Sequence, residues 1–454
     1  MSERWSARRH VALALADALL AGLPIRSAAM QRCAEALGGQ PSWLPALVQA
    51  ALRRFARAWR PALRHELAQF LSNHRLSESW LVAPPQVRRW YFNVPVMEPP
   101  RLGLGGAALA LPDLPTTGDI ADWLGLPLPR LLWLADPQLR NPRATDARLR
   151  HYVLQAVPKR HGGWRLIEAP KYALREAQRR ITRELLDYVP LHEAAHGFRR
   201  HHSPLTHARL HVGQAVVMRF DLEDFFLSIG RARVNAVFTT LGYPPAAATT
   251  LAALCTAVVA RADFDACIPL PSGAEAVALR WQQRQRHATP HLPQGAPSSP
   301  ALANLCAFRL DLRLTAAAEA FGGRYSRYAD DLVFSGDASL ARSTARLADL
   351  VARIVTDEGF RLNHRKARVM RRGVRQQVTG LIVNDRLNVS REHFDGLKAT
   401  LHNCVRHGWP SQNRAGLSDF RAHLAGRIAQ IGAANAARGA RLQRLFDAVD
   451  WSTR

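Results

Sequence analysis

The sequence contains few cysteines and no long apolar run without charges. Its five cysteines are scattered and include no CxxC pair, which argues against a disulfide framework or a zinc knuckle and favours a reducing cytoplasm. No uncharged apolar run reaches the length of a membrane span, so no membrane partner is expected. The opening segment resembles a signal peptide, but Asp17 interrupts its apolar run. We therefore interpret this segment as a helix of the folded protein.

Acidic residues are also scarce relative to basic ones. The 62 Lys and Arg residues outnumber the 36 Asp and Glu residues, which gives a formal net charge of +26. Most of the excess is Arg, whose planar guanidinium group suits bidentate contacts to phosphate. A polyanion such as nucleic acid is the leading predicted partner, and a basic composition without a binding role is the alternative.

The pattern of apolar residues divides the chain into a helical start, a mixed centre and a helical end. Residues 1–97 have apolar residues at helical spacing, with Arg on the opposite face, which is either solvated or in contact with nucleic acid. Residues 98–118 are rich in Pro and Gly and predict a linker. Residues 119–389 predict mixed helices and strands, and residues 390–454 predict helices. The expected class is α+β, in roughly three structural units.

Individual elements of the centre are predicted from periodicity and turn residues. A hairpin is expected to turn at His161-Gly162-Gly163, and a strand is expected to end near Asp221. The predicted helices cover residues 173–189, 299–321 and 338–358. Further strands are expected in the segments FRLN, ARVMRR and VTGLIVN.

Two adjacent carboxylates lie in the stretch RYSRYADDLVFSGD, residues 324–337. Asp330 and Asp331 each raise the cost of ionising the other. The segment RFDLEDFF places Asp221 at the end of an apolar strand, where it would face the hairpin that carries the pair. Three convergent carboxylates would suit divalent cations such as Mg²⁺ in phosphoryl transfer. From these residues alone, a surface turn remains the alternative, because Asp is a favoured turn residue.

The motifs YADD, FDLEDFF and LPQGAPSSPALANL, in combination, resemble the bacterial branch of the reverse transcriptase family. The resemblance covers roughly residues 119–451. It implies a right-hand polymerase, with fingers and palm in residues 119–389, a helical thumb in residues 390–454 and an additional helical extension in residues 1–97. The implied activity is RNA-directed DNA synthesis from deoxynucleoside triphosphates.

The resemblance also implies roles for single residues at the catalytic centre. Asp221, Asp330 and Asp331 match the metal-binding triad for two Mg²⁺ ions, with the backbone carbonyl of Leu222 as a further ligand. Lys366 in LNHRKARV matches a lysine near the leaving pyrophosphate, where a cation assists.

Further residues match contacts to the incoming nucleotide. Lys159 and Arg165 in PKRHGGWR resemble the fingers hairpin that holds the triphosphate, and Gln294 and Gly295 in LPQG lie against nucleotide and template. Phe226, five residues after Asp221, matches an aromatic residue that selects deoxyribose. Phe225 is expected in the core instead, because neighbours in an extended segment point to opposite sides.

Three features resemble retron enzymes within this family. They are the segment VTGLIVN, the segment HARLH, in which His207 replaces the usual Asn, and the Arg-rich ending. These features imply contacts to a cognate noncoding RNA that serves as template and primer. The residues implied in RNA binding are His211, Val378, Thr379, Gly380, Arg438, Arg441 and Arg444, of which the three arginines are expected on one helical face.

The resemblance to retrons implies partners and products beyond the polymerase reaction. Synthesis would start from a 2′-hydroxyl of the RNA and yield branched multicopy single-stranded DNA joined to RNA, with antiphage defence as the role. An effector protein encoded nearby and a host ribonuclease H that acts on the RNA–DNA hybrid are further implied partners. The alternatives are another bacterial reverse transcriptase, of the phage-defence or group II intron type, and a non-catalytic RNA-binding protein on a polymerase scaffold.

One short motif points to a different chemistry. HEAAH, His192 to His196, fits the zinc pattern H-E-x-x-H, in which two histidines one helical turn apart bind the metal. Pro190 precedes the motif closely, Gly197 follows it at once, and no third ligand is apparent. We therefore interpret it as a chance match.

Overall fold

The computed structural model describes residues 2–22, 24–55, 63–91, 97, 100, 109–144, 146–159 and 163–452. The chain divides into two compact units, which consist of residues 1–108, 113–128 and 238–249 in one case and residues 109–112, 129–237 and 250–454 in the other. Residues 98, 99 and 101–108 of the predicted linker 98–118 lie outside the described residues, as do His161 and Gly162 at the tip of the predicted hairpin.

The first unit is built from helices whose apolar stripes pack on one another. Its elements include α1 (Ser2–Leu20), α2 (Arg26–Leu37), α3 (Leu44–Phe55), α4 (Arg64–Asn73) and α5 (Thr117–Leu124). Leu15, Leu47 and Trp80 are almost fully buried in its core. Asp17, which interrupts the apolar run of the opening segment, accepts hydrogen bonds from Arg64 and Trp90. The interpretation of this segment as a folded helix is therefore confirmed.

The second unit contains a four-stranded antiparallel sheet with the spatial order β4-β5-β3-β6. The strands are β3 (Val216–Asp221), β4 (Gly323–Tyr328), β5 (Asp331–Gly336) and β6 (Arg368–Arg371). The β3 side chains Val216, Val217 and Met218 are all fully buried. Because β3 is central and buried on both faces, it forms a rigid base for the residues at its carboxyl end.

Two smaller sheets and a set of helices complete this unit. The sheets are the hairpin β1 (Tyr152–Pro158) with β2 (Trp164–Pro170), and the strands β7 (Gln377–Val378), β8 (Leu381–Ile382) and β9 (Asn388–Val389). The helices are α6 (Leu128–Ala135), α7 (Tyr172–Glu184), α8 (Pro204–Arg209), α11 (Arg261–Cys267), α12 (Ala274–His287), α13 (Ser299–Cys306), α14 (Phe308–Ala320), α15 (Ala338–Arg342), α16 (Thr344–Asp357), α17 (Arg391–His407), α18 (Phe420–Ala434) and α19 (Ala436–Asp447). Helices α9 (Arg231–Thr240) and α10 (Pro245–Leu254) each contribute residues to both units.

Several predicted element boundaries were wrong. The predicted helix 299–321 is two helices that separate at Ala307, whose φ of −91° and ψ of 2° leave helical geometry. The predicted helix 338–358 breaks at Ser343. Instead of a strand, the FRLN segment forms an isolated bridge between Leu362 and Leu222. Apolar periodicity continues across a one-residue break, which explains why the sequence pattern did not detect these interruptions.

None of the helices in the described part of the chain is long and apolar enough to cross a membrane.

Candidate active site

Three carboxylates meet at one edge of the four-stranded sheet. Asp221 is the last residue of β3, and it lies directly opposite Asp331, the first residue of β5. Asp330 belongs to the turn between β4 and β5, and its backbone carbonyl accepts a hydrogen bond of 2.9 Å from the N–H of Leu222. The pairing of β3 with β5 thus brings together the residues that the sequence separates by more than a hundred positions.

Basic side chains already lie against two of these carboxylates. The Lys366 ammonium group donates to both oxygens of Asp221 at 2.9 Å, and Arg219 donates to Asp331 at 2.9 Å. Lys366 is held at the end of β3 because Asn363, in the same segment, donates its N–H to the carbonyl of Asp221. Lys366 therefore lies beside Asp221, and its implied role near the leaving pyrophosphate stays a prediction.

Asp330 has the least favourable environment of the three for a negative charge. Burial raises the pKa of its carboxyl to about 6, and the neighbouring carboxylates Asp221 and Asp331 add to this increase. Burial also raises the pKa of Asp221, against the opposing effect of Lys366. An all-oxygen cluster with partly buried, mutually repelling charges has the chemistry that a hard divalent cation such as Mg²⁺ prefers.

The two phenylalanines after β3 have different environments. Phe225 is 3% exposed and belongs to the core, as predicted, whereas Phe226 is half-buried beside Phe198 at 5.9 Å between ring centres. The segment is not extended, contrary to the prediction, because a series of turns begins after Leu222 and Asp224 has a φ of +48°. Phe226 is therefore the more accessible of the two rings near Asp221.

The LPQG loop lies against strand β2 of the hairpin. The Glu168 N–H donates to the Gln294 carbonyl at 2.8 Å. Gly295 has a φ of +131°, and a Cβ there would lie 3.0 Å from the Glu168 carbonyl oxygen, so only glycine fits this approach without strain. Lys159 and Arg165, the two hairpin residues implied in triphosphate binding, are exposed.

A buried ion pair that sequence reasoning missed fixes the same junction. Both carboxylate oxygens of Glu168 lie 3.0 Å from Nε2 of His291, and neither side chain is exposed. Burial opposes ionisation of Glu168, yet His291 and His287 hold its pKa at about 2, and the same contact raises the pKa of His291. These three side chains are close enough to ligate a metal, but the hydrogen bonds to His291 already compensate the carboxylate charge.

Two residues implied in RNA binding have side chains that are inaccessible in this structure. His211 is fully buried beneath the sheet, where its ring nitrogens form hydrogen bonds of 2.7 Å with Ser326 and Ser335. Val378 is fully buried in the apolar core that includes residues of α17, α18 and α19. Neither side chain can contact RNA in this conformation. A sequence motif does not distinguish a buried support from a contact residue.

The remaining residues implied in RNA binding are divided between packed and exposed positions. Arg438 is half-buried, donates to the Val389 carbonyl at 3.0 Å and stacks over the Phe394 ring. Arg441 and Arg444 on α19 are exposed. The expected single face of three free arginines is therefore reduced to two.

The other implied positions of the segments VTGLIVN and HARLH lie in the turn between β7 and β8 and in helix α8. Thr379 and Gly380 make the turn between β7 and β8 with positive φ angles of 45° and 84°, and Gly380 is exposed. The Thr379 hydroxyl donates to the Pro204 carbonyl at 3.1 Å. His207, which replaces the usual Asn, is fully buried.

The HEAAH segment does not have the geometry of a zinc site. Residues 192–196 form turns and a bridge between Ala195 and Arg327 instead of a helix. His196 lies beside His202 and His207 at 4.7 and 5.5 Å between ring centres. The interpretation of HEAAH as a chance match agrees with this geometry.

The sequence comparisons with known proteins agree on one family. The family described as reverse transcriptase (RNA-dependent DNA polymerase) matches residues 157–389. The chain is 40% identical over 338 residues to the retron Mx65 reverse transcriptase of Myxococcus xanthus, which covers 74% of this chain and 73% of the relative. It is 37% identical over 311 residues to the retron Mx162 reverse transcriptase of the same organism, which covers 65% of this chain and 60% of the relative.

A solved foamy viral protease-reverse transcriptase in complex with double-stranded DNA is also similar. The match has 15% sequence identity and a TM-score of 0.30, and covers 88% of this chain and 60% of the viral chain. The family assignment rests on the sequence relatives and not on this similarity. With its α+β right-hand polymerase fold, the chain belongs to the reverse transcriptase family, as a bacterial retron-type enzyme that catalyses RNA-directed DNA synthesis.

Proposed function

We propose that the chain reverse transcribes a cognate structured noncoding RNA, with Asp221, Asp330 and Asp331 as the ligands of two Mg²⁺ ions. The observation that carries this proposal is the convergence of the three carboxylates through the β3–β5 register and the hydrogen bond from Leu222 to Asp330. Bound there, the ions would stabilise the attacking and leaving oxygens of a phosphoryl transfer. The backbone carbonyl of Leu222 is a further proposed ligand.

The chain's own groups then orient the reactants. Lys366 supplies a positive charge next to Asp221 and, with its side chain 57% exposed, can reach the leaving pyrophosphate. Lys159 and Arg165 on the exposed hairpin bind the triphosphate, since Lys and Arg side chains both bind phosphate. Gln294 and Gly295 lie against nucleotide and template, with their loop held by Glu168.

Phe226 selects the sugar in this proposal. Its half-buried ring lies five residues after Asp221, beside Phe198, whereas Phe225 is enclosed by the core. A ring under the deoxyribose would collide with a ribose 2′-hydroxyl. The enzyme therefore prefers deoxynucleotides.

The product follows from the retron assignment. Synthesis begins at a 2′-hydroxyl of the RNA, so the product is a branched, multicopy single-stranded DNA attached to RNA, and the role is antiphage defence in the cytoplasm. A host ribonuclease H removes the template from the RNA–DNA hybrid, and an effector protein encoded nearby completes the system. Fingers and palm occupy residues 119–389, the thumb residues 390–454, and residues 1–97 are an additional extension joined by the linker 98–118.

RNA binding is proposed for exposed positions of the thumb and the adjacent turn. Arg441 and Arg444 present unpacked guanidinium groups to duplex phosphates. Thr379 and Gly380 place a tight turn at the surface beside α8. Arg438 supports the helix that carries the two exposed arginines by its contacts to Val389 and Phe394.

Expression of the chain together with its flanking DNA tests this function. The wild-type protein should yield a small DNA that stays joined to RNA through a 2′,5′ linkage and is released by a debranching enzyme. Asp330→Asn combined with Asp331→Asn should abolish the product, because the metal ligands are lost. RNA affinity should stay unchanged, because the volume of both side chains is kept. A linear, unlinked product from the wild type would contradict the retron mechanism, and DNA synthesis by the double variant would contradict the metal assignment.

A further inference from the structure

A charged side chain is fully enclosed directly behind the turn that carries Asp330. Arg327, in β4, has no exposed surface, and neither does its partner Asp311 in α14. The guanidinium group donates from Nε to Oδ1 at 2.8 Å and from Nη2 to Oδ2 at 2.6 Å. Charged residues are almost never fully buried without such pairing. A buried bidentate pair at this position therefore calls for a specific reason.

The third nitrogen of the guanidinium group, Nη1, faces the turn. Nη1 of Arg327 donates to the backbone carbonyl of Ala329 at 3.1 Å and to the side chain of Asn304 at 3.0 Å. Ala329 has a φ of +56°, a left-handed conformation that costs a non-glycine residue free energy. The carbonyl that Arg327 holds belongs to the peptide unit that joins Ala329 to Asp330. The contact thus fixes the orientation of the backbone immediately before a proposed metal ligand.

The backbone of residues 192–197 packs against the other side of the turn. The side chain of Asn304 donates to the Gly197 carbonyl at 2.9 Å. A Cβ on Gly197 would lie 2.5 Å from the Ala329 nitrogen, so only glycine fits at this contact between the two backbones. The backbone of Arg327 also pairs with this segment, through Ala194 at 2.7 Å and His196 at 2.8 Å. The turn is therefore packed between the Arg327 side chain and the Gly197 backbone.

The same arginine reaches the segment that follows Asp221. Its guanidinium carbon lies 5.5 Å from the centre of the Phe225 ring, within the range of a cation–π contact. Phe225 precedes Phe226, the proposed sugar-selecting residue. One side chain is thus in contact with the turn that precedes Asp330 and with the segment that follows β3.

We propose that Arg327, fixed by Asp311 and Asn304, is a positioning residue that holds the Ala329–Asp330 peptide so that the Asp330 carboxylate is aligned with Asp221 and Asp331 for metal binding. This inference rests on the proposed metal-binding role of the carboxylates. A purely structural pair would be replaceable by apolar residues of similar volume, since buried ion pairs contribute little net stability over well-packed apolar side chains. Positioning, in contrast, requires a donor directed at the Ala329 carbonyl.

The test replaces the pair while keeping the core filled. Arg327→Met combined with Asp311→Leu removes both charges together, so no buried charge is left unpaired. Asn304→Ala is a milder companion that removes one hydrogen bond to Arg327 and one to Gly197. Arg324→Gln is the matched control, because Arg324 lies on the same strand with an exposed side chain. Each variant is compared with wild type in melting temperature, RNA affinity, kcat for primer extension and Mn²⁺ affinity by electron paramagnetic resonance.

We expect the double variant to fold with a lower melting temperature, because the buried Tyr325 hydroxyl and the Ala329 carbonyl lose their hydrogen-bond partners, and to keep its RNA affinity. It should lose about 100-fold in kcat, because a misalignment of about 1 Å can cost that much, and bind Mn²⁺ at least tenfold more weakly. Asn304→Ala should change kcat and Mn²⁺ affinity in the same direction by a smaller factor, and Arg324→Gln should change neither. Hydrogen exchange of the peptide that spans residues 325–332 should accelerate in both test variants.

Unchanged kcat and Mn²⁺ affinity in a folded double variant would overturn the proposal. If the double variant does not fold, Asn304→Ala decides, and a folded Asn304→Ala protein with wild-type kcat and Mn²⁺ affinity would likewise overturn it. Failure of the metal assignment is distinguishable, because in that case Asp330→Asn would itself retain DNA synthesis and Mn²⁺ affinity.

Discussion

Replacement of Asp330 by Asn should stabilise the metal-free protein while it abolishes DNA synthesis. Asp330 is the carboxylate whose ionisation the fold opposes most clearly, through burial and through its two acidic neighbours. Asn keeps the volume and polarity of the side chain but carries no charge. The expected gain arises because a binding site for a cation is strained when the cation is absent.

The magnitude follows from the pKa. A rise from 3.8 to about 6 is a change of roughly 2 units, or about 3 kcal/mol at 1.36 kcal/mol per unit. A carboxyl group with a raised pKa in the folded state stabilises that state fully below the unfolded value of 3.8 and loses this contribution as the pH rises through about 6. At an unfolding entropy of about 2.1 cal/mol/K per residue, the 454-residue chain shifts its melting temperature by about 1 °C per kcal/mol. The melting temperature of the metal-free variant should therefore exceed that of wild type by about 3 °C at pH 8.

Thermal melts in EDTA at pH 8 and at pH 4 measure this difference. The advantage of Asp330→Asn should be present at pH 8 and almost vanish at pH 4, and added Mg²⁺ should stabilise wild type more than the variant. Asp331→Asn is the comparison, because it relieves the repulsion of Asp330 but also removes the ion pair with Arg219, so its gain should be smaller. A variant that is less stable than wild type at both pH values would refute the reasoning.

Two further predictions concern the sugar and the RNA. Phe226→Val should raise the kcat/KM of ribonucleotides relative to deoxynucleotides, whereas Phe225→Val should mainly lower the melting temperature by leaving a core cavity; the reverse pattern would mean that the nucleotide contacts Phe225. Replacement of Arg441 and Arg444 by Gln should weaken RNA binding at all sequences and flatten its dependence on salt. Arg438→Gln should mainly lower the melting temperature and change the salt dependence of RNA binding less. Equal salt dependence in the double variant and in Arg438→Gln would contradict this division.

The convergence of the three carboxylates could be predicted because each one lies where an apolar strand meets a turn. Strands β3 and β5 are marked by buried apolar residues, and antiparallel pairing of these strands brings Asp221 opposite Asp331. The separate environments of Phe225 and Phe226 were predicted, but from an extended segment that the structure does not have. The local turn geometry after Leu222 was not, because it depends on contacts with residues 361–363.

The polar interior could not be predicted from the same patterns. Apolar periodicity marks buried apolar residues and is silent on charged residues, so the fully buried pair Arg327–Asp311 resembles exposed charge in the sequence. Glu168 and His291 are 123 positions apart and are joined only by the tertiary fold. Residues matched by a family motif, such as His211, are equally compatible with a buried support and a surface contact until their burial is known.

Anomalous scattering from Mn²⁺ in crystals of the wild-type protein tests the central claim most directly. We expect two peaks about 3.5–4 Å apart, both within ligand distance of the carboxylates of Asp221, Asp330 and Asp331, and we expect both peaks to disappear in Asp330→Asn crystals. Absence of peaks at these three carboxylates, or a peak only at the buried Glu168–His291 pair, would contradict it.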